Sequence, residues 1–247
     1  MKNIIFLTIS LFFSISFYGQ DKVAADSAYV SGDYIQAISL YESMLAEGES
    51  SEVYYNLGNS YFKADMIGKA ILNYERALLL SPGNSDYRAN LDIARSKTQD
   101  NLVSVPDVFF VVWFRSLINM LSVRQWSYIG ICMFLLLLIC LGCYFFARTV
   151  GLKKVGFILA SSFFLLTILA NLFAYTQKNK LIHRDNAIVL SPSITVRSTP
   201  SESGTSLFIL HEGSKVKIKD DSMREWKEIQ LPDGKVGWIP ESAMEII

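Results

Sequence analysis

The sequence predicts a multidomain membrane protein made of an all-α domain, a transmembrane helical hairpin and an all-β barrel. Three observations predict it. Two charge-free apolar runs, Ser127–Ala147 and Val155–Tyr175, lie close together, small and aromatic residues recur at helical spacing before them, and period-two alternation follows them. Each run is 21 residues long, about 31 Å as a helix against a hydrocarbon core of ~30 Å. A backbone inside lipid satisfies its own hydrogen bonds, so both runs are predicted as helices. The polar turn Arg148–Lys154 joins them into an antiparallel hairpin and puts the segments on either side of it in one compartment.

Taken in order, the chain opens with Met1-Lys2-Asn3 and then the apolar stretch Ile4–Phe17, the n-region and h-region of a secretory signal. Cleavage is expected around Gly19–Gln20, giving a signal peptide over residues 1–19; uncleaved, the segment is a third anchor with the same orientation. In both cases the chain from Gln20 onward is exported, and the turn at residues 148–154 is cytoplasmic. Arg148, Lys153 and Lys154 in that turn agree with the positive-inside tendency. Arg115, Arg124, Lys178, Lys180 and Arg184 flank the other ends of the runs, so charge alone leaves the orientation open and the signal decides it.

Residues 20–100 carry internal self-similarity. Ser51–Asn84 spans 34 residues and places Tyr54, Leu57, Gly58, Tyr61, Ala70, Tyr74, Ala77 and Pro82 at the marker spacing of a helix pair. Gly58, Ala70 and Ala77 let two antiparallel helices approach, while Tyr54, Tyr61 and Tyr74 fill the space between turns. Pro82-Gly83 ends the second helix. This stretch resembles a tetratricopeptide repeat. Gly32-Asp33-Tyr34, Ala37 and Tyr41 echo its second half, behind an Ala-rich, degenerate first helix over Asp21–Ser31. Ser85–Thr98 reads as a lone closing helix with Tyr87, Leu91 and Ala94 inward.

Repeats of this kind hold peptides on a face lined by the first helix of each pair. The residues of Ser51–Ala64 off the packing stripe include Tyr55, Asn56, Asn59, Phe62 and Lys63. Asn56 and Asn59 are suited to an extended peptide backbone, and Tyr55 and Phe62 to apolar contact. The alternative is that these residues are solvated or packed against the closing helix.

Residues 101–126 are apolar and aromatic but interrupted. Pro106 suits a helix start. Phe109, Val112, Trp113, Ser116, Leu117, Met120 and Leu121 share a face, with Arg115, Asn119 and Ser122 on another. The segment reads as an amphipathic helix in the membrane interface, anchored by Trp113, Trp126 and Tyr128. Read instead as a third span, it puts the C-terminal domain in the cytoplasm.

After Arg184, strands are predicted at Ala187–Leu190, Ile194–Arg197, Ser206–Leu210, Lys215–Lys219, Trp226–Leu231, Lys235–Pro240 and Met244–Ile246. The order Val196-Arg197-Ser198, Pro200, Leu210, Gly213, Trp226, Ile229 and Gly237-Trp238-Ile239 resembles a bacterial SH3-like domain over residues 185–247. Trp226 and Trp238 are expected to close the barrel core rather than to serve as ligand platforms. Members of that family bind cell-wall peptides or other proteins, and no residue here chooses between them.

Composition excludes other classes. The 23 basic and 23 acidic residues cancel, with 7 Lys/Arg against 12 Asp/Glu over residues 20–104 and 9 against 10 over residues 179–247. Neither flank has the basic excess that grips nucleic acid or anionic lipid. All three cysteines, Cys132, Cys140 and Cys143, lie in the first apolar run, so the flanks hold no disulfide and no thiolate metal site. Cys140-Leu-Gly-Cys143 has no basic neighbour nearer than Arg148 to activate a thiolate, and reads as small residues of a span rather than as a thiol oxidoreductase. His183 and His211 stand apart, and no phosphate loop, dinucleotide fingerprint or Ser–His–Asp pattern occurs. No catalytic, cofactor or metal residue is assigned.

The order of signal, short repeat domain, interfacial helix, two spans and SH3-like tail resembles the BatE-type proteins of Bacteroides aerotolerance operons, over essentially the whole chain. That resemblance implies a non-enzymatic inner-membrane scaffold with both flanking domains periplasmic. It also implies partners among von Willebrand A-domain membrane proteins and a MoxR-type AAA ATPase, and a role in oxidative stress. A cell-wall sensor or tether that binds peptidoglycan through the SH3-like domain is the second reading.

Overall fold

The computed structural model describes residues 21–100 and 108–247. The expected signal peptide at residues 1–19, the cleavage position and the helix start at Pro106 lie outside the described residues. The chain forms two compact units: one joins the N-terminal helices to Asp185–Ile247, and the other is built around Asp107–Arg184.

In the first unit, α1 (described over residues 21–30) pairs with α2 (Tyr34–Glu47), α3 (Ser51–Lys63) pairs with α4 (Ile67–Leu80), and α5 (Ser85–Arg95) closes the stack. The two pairs repeat each other bond for bond at a period of 33 residues. The Tyr41 hydroxyl donates to Asp26 at 2.5 Å and the Tyr74 hydroxyl donates to Asn59 at 2.7 Å. The turns match as well. Asp33 N–H donates to Ala28 O and Met66 N–H to Tyr61 O, around Gly32 (φ +86°) and Asp65 (φ +61°). A left-handed residue ends each first helix, which is the Schellman geometry that satisfies its last carbonyls.

The small residues work as expected. A Cβ at Gly58 would lie 2.7 Å from the Tyr74 ring, so α3 and α4 are at closest approach there. Ala25, Ala37, Ala70, Ala77 and Ala94 are buried with Tyr41, Tyr61 and Tyr74. The Asn84 side chain caps α5 by accepting from the N–H groups of Asp86 and Tyr87.

The second part of this unit is an antiparallel seven-stranded sheet. Its strands are β1 (Asn186–Val189), β2 (Ser193–Arg197), β3 (Ser206–His211), β4 (Lys215–Asp220), β5 (Trp226–Gln230), β6 (Val236–Pro240) and β7 (Met244–Ile246), in the order β3-β2-β6-β5-β4-β1-β7. Ala187, Val189, Val196, Leu210, Val216, Ile229 and Ile239 fill it. Helices and sheet are not independent modules joined by linkers. Ile188 and Ile247 lie in the same apolar cluster as Ile71, Leu72 and Tyr74, with Leu190 packed against it. The sheet's Glu212 carboxylate accepts from Gly68 N–H at 2.8 Å in the first turn of α4, a helix start that favours negative charge.

The second unit holds α6 (Phe109–Ile118), α7 (Val123–Phe146) and α8 (Val150–Ile182). α7 and α8 are long and apolar enough to cross a membrane. The expected run Val155–Tyr175 lies inside α8, and Ser127–Ala147 lies inside α7 up to Phe146, with Ala147 in extended backbone as the C-cap. The connecting turn is shorter than the seven residues expected, because the Thr149 side chain caps α8 and draws Lys153 and Lys154 into its first turns. The helices meet closely where Gly156 faces Tyr144 and Cys140. Cys140 packs with Leu137 and Ala160 at this contact, and the three cysteines are unlinked. The Cys140 thiol is buried between the two helices and so is shielded from reaction partners.

Candidate binding surfaces

Of the residues expected to line a peptide groove, two are held by the closing helix and a third by the turn that follows it. The Tyr55 ring stacks on Tyr87 at 4.5 Å, and its hydroxyl accepts from Asn90 Nδ2 at 2.8 Å. Asn59 Oδ1 accepts from both the Tyr74 hydroxyl and Asn90 Nδ2. Phe62 is half-buried beneath the Lys97 ammonium, 4.4 Å from the ring centre. Asn56 is half-buried within hydrogen-bond reach of the Tyr41 hydroxyl, and Lys63 is exposed. A peptide laid along α3 therefore meets Tyr55 and Asn59 already engaged by α5, while Asn56 turns towards Tyr41 of α2.

A larger groove, about 1080 Å³, opens on the sheet. It runs between Arg197, Pro200, Glu202, Arg224, Trp226 and Pro240. The Arg197 guanidinium, at a register shift of β2, donates to Gly204 O at 2.9 Å and pins the loop between β2 and β3 as one wall. The backbone bond from Glu241 N–H to Glu225 O ties the opposite wall together. Two arginines facing several glutamates around an aromatic ring and two prolines suit an extended chain with polar and charged side chains.

Trp226 departs from its expected place in the core. Along β5 the buried register is Lys227 and Ile229, so Trp226 falls on the other face, where it lines the groove. The alternation Trp226-Lys227-Glu228-Ile229 carries this signal, and the shape of Lys227 obscures it. Lys227 is buried in the barrel register because its ammonium reaches Asp221 O at 3.2 Å and lies 3.7 Å from Glu241.

The third surface is internal, between the helices and the sheet. Glu75, buried on α4, is paired with Arg95 from α5 and with Lys215 from β4 at 2.7 Å. Arg76 reaches Glu245 at 2.9 Å and the carbonyl of Ile246. Asp100 accepts from His211 N–H at 2.7 Å and from the Ser214 hydroxyl at 2.5 Å, with His211 Nδ1 2.7 Å from its other oxygen. Sequence gave no hint that a serine, a histidine and an aspartate meet here. They do not form a nucleophilic triad, because Ser214 donates to the acid and not to the imidazole. Burial pushes the Asp100 carboxyl up, but the Ser214 hydroxyl and the His211 N–H and ring outweigh it and hold it below the usual carboxylate range. Among the described residues no group of three or more His, Cys, Asp or Glu side chains is placed to hold a metal ion.

A search of curated proteins finds no match. Two parts of the chain match known families: residues 51–84 match the tetratricopeptide repeat, and residues 192–245 match the bacterial SH3 domain. The chain thus carries two modules of kinds that bind other molecules, on either side of two helices long and apolar enough to cross a membrane.

Proposed function

We propose that the protein is a non-enzymatic scaffold of a bacterial inner membrane that presents its repeat domain and SH3-like barrel, as one rigid head, to partner proteins in the periplasm. The observation that carries this reading is the shared core of Ile71, Leu72, Ile188 and Ile247. A head assembled from segments before and after the hairpin has both segments on one side of the membrane, which requires an even number of crossings between them. Two spans meet that requirement, and a third span through α6 does not. The resemblance to BatE-type proteins supplies the candidate partners: von Willebrand A-domain membrane proteins and a MoxR-type AAA ATPase in an oxidative-stress complex.

Crosslinking in native membranes followed by mass spectrometry tests this. The intact chain is expected to capture membrane proteins, and Trp226→Ala with Arg224→Glu, or Asn56→Ala with Lys63→Glu, is expected to reduce that capture. Equal capture by wild type and by both variants would show that neither surface is used.

The barrel groove favours a second reading, a cell-wall sensor or tether, because its mixed charges and Trp226 also suit a peptide of peptidoglycan. Co-sedimentation of the full chain with purified peptidoglycan separates the two. Binding lost on Trp226→Ala supports the tether, and no sedimentation leaves the scaffold.

A further inference from the structure

We infer that the trough between α6 and the C-terminal end of α8 binds one anionic phospholipid, its phosphate held by Arg115 and Lys180. The inference rests on the reading of α7 and α8 as membrane spans. The trough, about 430 Å³, is lined by Phe110, Val111, Phe114 and Ile118 of α6 and by Thr176 of α8, with Arg115 and Lys180 as its two cations, and Lys180 also donates to Asn119 Oδ1 at 3.3 Å. Its apolar walls suit an acyl chain and its two cations a negatively charged headgroup.

The trough is held in shape by buried polar bonds. Gln177, only 4 % exposed, donates from Nε2 to the carbonyls of Ile118 and Leu121 (2.8 Å to the latter). Trp126 Nε1 donates to the same Ile118 carbonyl at 3.0 Å and packs edge-on against Phe173 at 4.9 Å. These bonds satisfy the end carbonyls of α6 and clamp it to α7 and α8. None of the residues of α6 is buried, so its apolar side is available to lipid.

Charge identifies the occupant. From residue 108 to residue 184 the chain has eight Lys/Arg and no Asp or Glu; the nearest carboxylates in sequence are Asp107 and Asp185. Arg148, Lys153 and Lys154 lie at the turn, and the other five, Arg115, Arg124, Lys178, Lys180 and Arg184, lie at the opposite end of the hairpin. Orientation by the positive-inside tendency accounts for cations at one end only. Two of the cations at the second end, Arg115 and Lys180, line the apolar trough and match an anionic headgroup, each basic residue near an anionic surface adding to lipid affinity.

The test uses the full chain purified in a neutral detergent, incubated with equimolar phosphatidylglycerol and phosphatidylcholine of identical chains, and read by native mass spectrometry. One retained phosphatidylglycerol is expected, favoured over phosphatidylcholine by about tenfold. Arg115→Gln with Lys180→Gln is expected to abolish that preference. Thr176→Phe, which fills the trough and leaves the cations, is expected to lose the retained lipid. Lys153→Gln with Lys154→Gln, at the far end, is expected to behave as wild type. Equal retention of both lipids by wild type, or an unchanged preference in Arg115→Gln/Lys180→Gln, overturns the inference. Release of the chain from membranes by alkaline carbonate sinks the membrane reading and this inference together, whereas retention without lipid preference sinks this inference alone.

Discussion

Asp100 meets His211 with its Oδ1 2.7 Å from the imidazole Nδ1, and the other oxygen of the same carboxylate takes the His211 N–H and the Ser214 hydroxyl. This contact fastens the end of the helical domain to the turn between β3 and β4. Asp100→Asn replaces one acceptor by a donor facing donors, and is expected to destabilise the head by about 1–3 kcal/mol. The pH dependence has a definite sign. A carboxyl held below its ordinary value contributes stability that is complete above about pH 4 and is lost as pH falls through its lower folded value. Hydrogen exchange along α4 and β4 is the measurement, and wild-type protection that does not weaken more than that of Asp100→Asn on acidification contradicts the assignment.

Glu75 has two cationic partners, Arg95 and Lys215, and is itself buried while they are partly exposed. Removing either cation leaves the other in place, so each single alanine change is expected to cost about 1 kcal/mol or less. Removing both leaves a buried carboxylate without a counter-charge, a loss of about 3–5 kcal/mol in well-buried cases. Arg95→Ala/Lys215→Ala is therefore expected to exceed the sum of the singles by at least about 1 kcal/mol. Additive losses in denaturant unfolding would mean that Glu75 is satisfied in another way.

Much of this was legible in the sequence because it depends on local periodicity. The seven strands fall within a residue or so of their expected bounds, and Gly58, Ala70 and Tyr74 meet as the repeat spacing requires. The first helix looked degenerate because its markers are conservative in shape and not in identity: Ala25 and Asp26 stand 33 residues before Gly58 and Asn59 and perform the same packing and bonding. Docking of barrel on helices was not legible. It depends on Glu75, Arg76 and Asp100 finding Lys215, Glu245 and His211 more than a hundred residues away, and no local pattern encodes such a pairing. The basic residues at the ends of the hairpin are legible in the sequence, but their meeting with the apolar side of α6 depends on how α6 folds back on α8.

The matched turns at Gly32 and Asp65 give a test of backbone strain alone. Both adopt positive φ, and a Cβ on Gly32 would meet nothing within 4 Å. Gly32→Ala is therefore expected to destabilise by about 1 kcal/mol through backbone conformation, without a steric clash. Asp65→Gly relieves the same strain in the second repeat, offset by the greater freedom of glycine in the unfolded chain, and is expected to be neutral or to stabilise by up to about 1 kcal/mol. A marked loss of thermal stability on Asp65→Gly would show that the aspartate side chain, and not the turn geometry, holds that position.

A head built from both ends of the chain makes a topological prediction that separates the two-span reading from the three-span one. With Cys132, Cys140 and Cys143 replaced by serine or alanine, single cysteines at Ser39 on α2, at Ser222 between β4 and β5, and at Lys153 near the hairpin turn report three places in the fold. All three positions are exposed, so burial does not limit labelling. An impermeant maleimide on intact spheroplasts is expected to label Ser39→Cys and Ser222→Cys alike, and Lys153→Cys only after lysis. Labelling of Ser39→Cys without Ser222→Cys means that the membrane separates the repeats from the barrel, which the shared cluster of Ile71, Ile188 and Ile247 does not allow. Labelling of Lys153→Cys alone keeps the head intact and reverses its side, which removes the periplasmic partners and leaves the fold untouched.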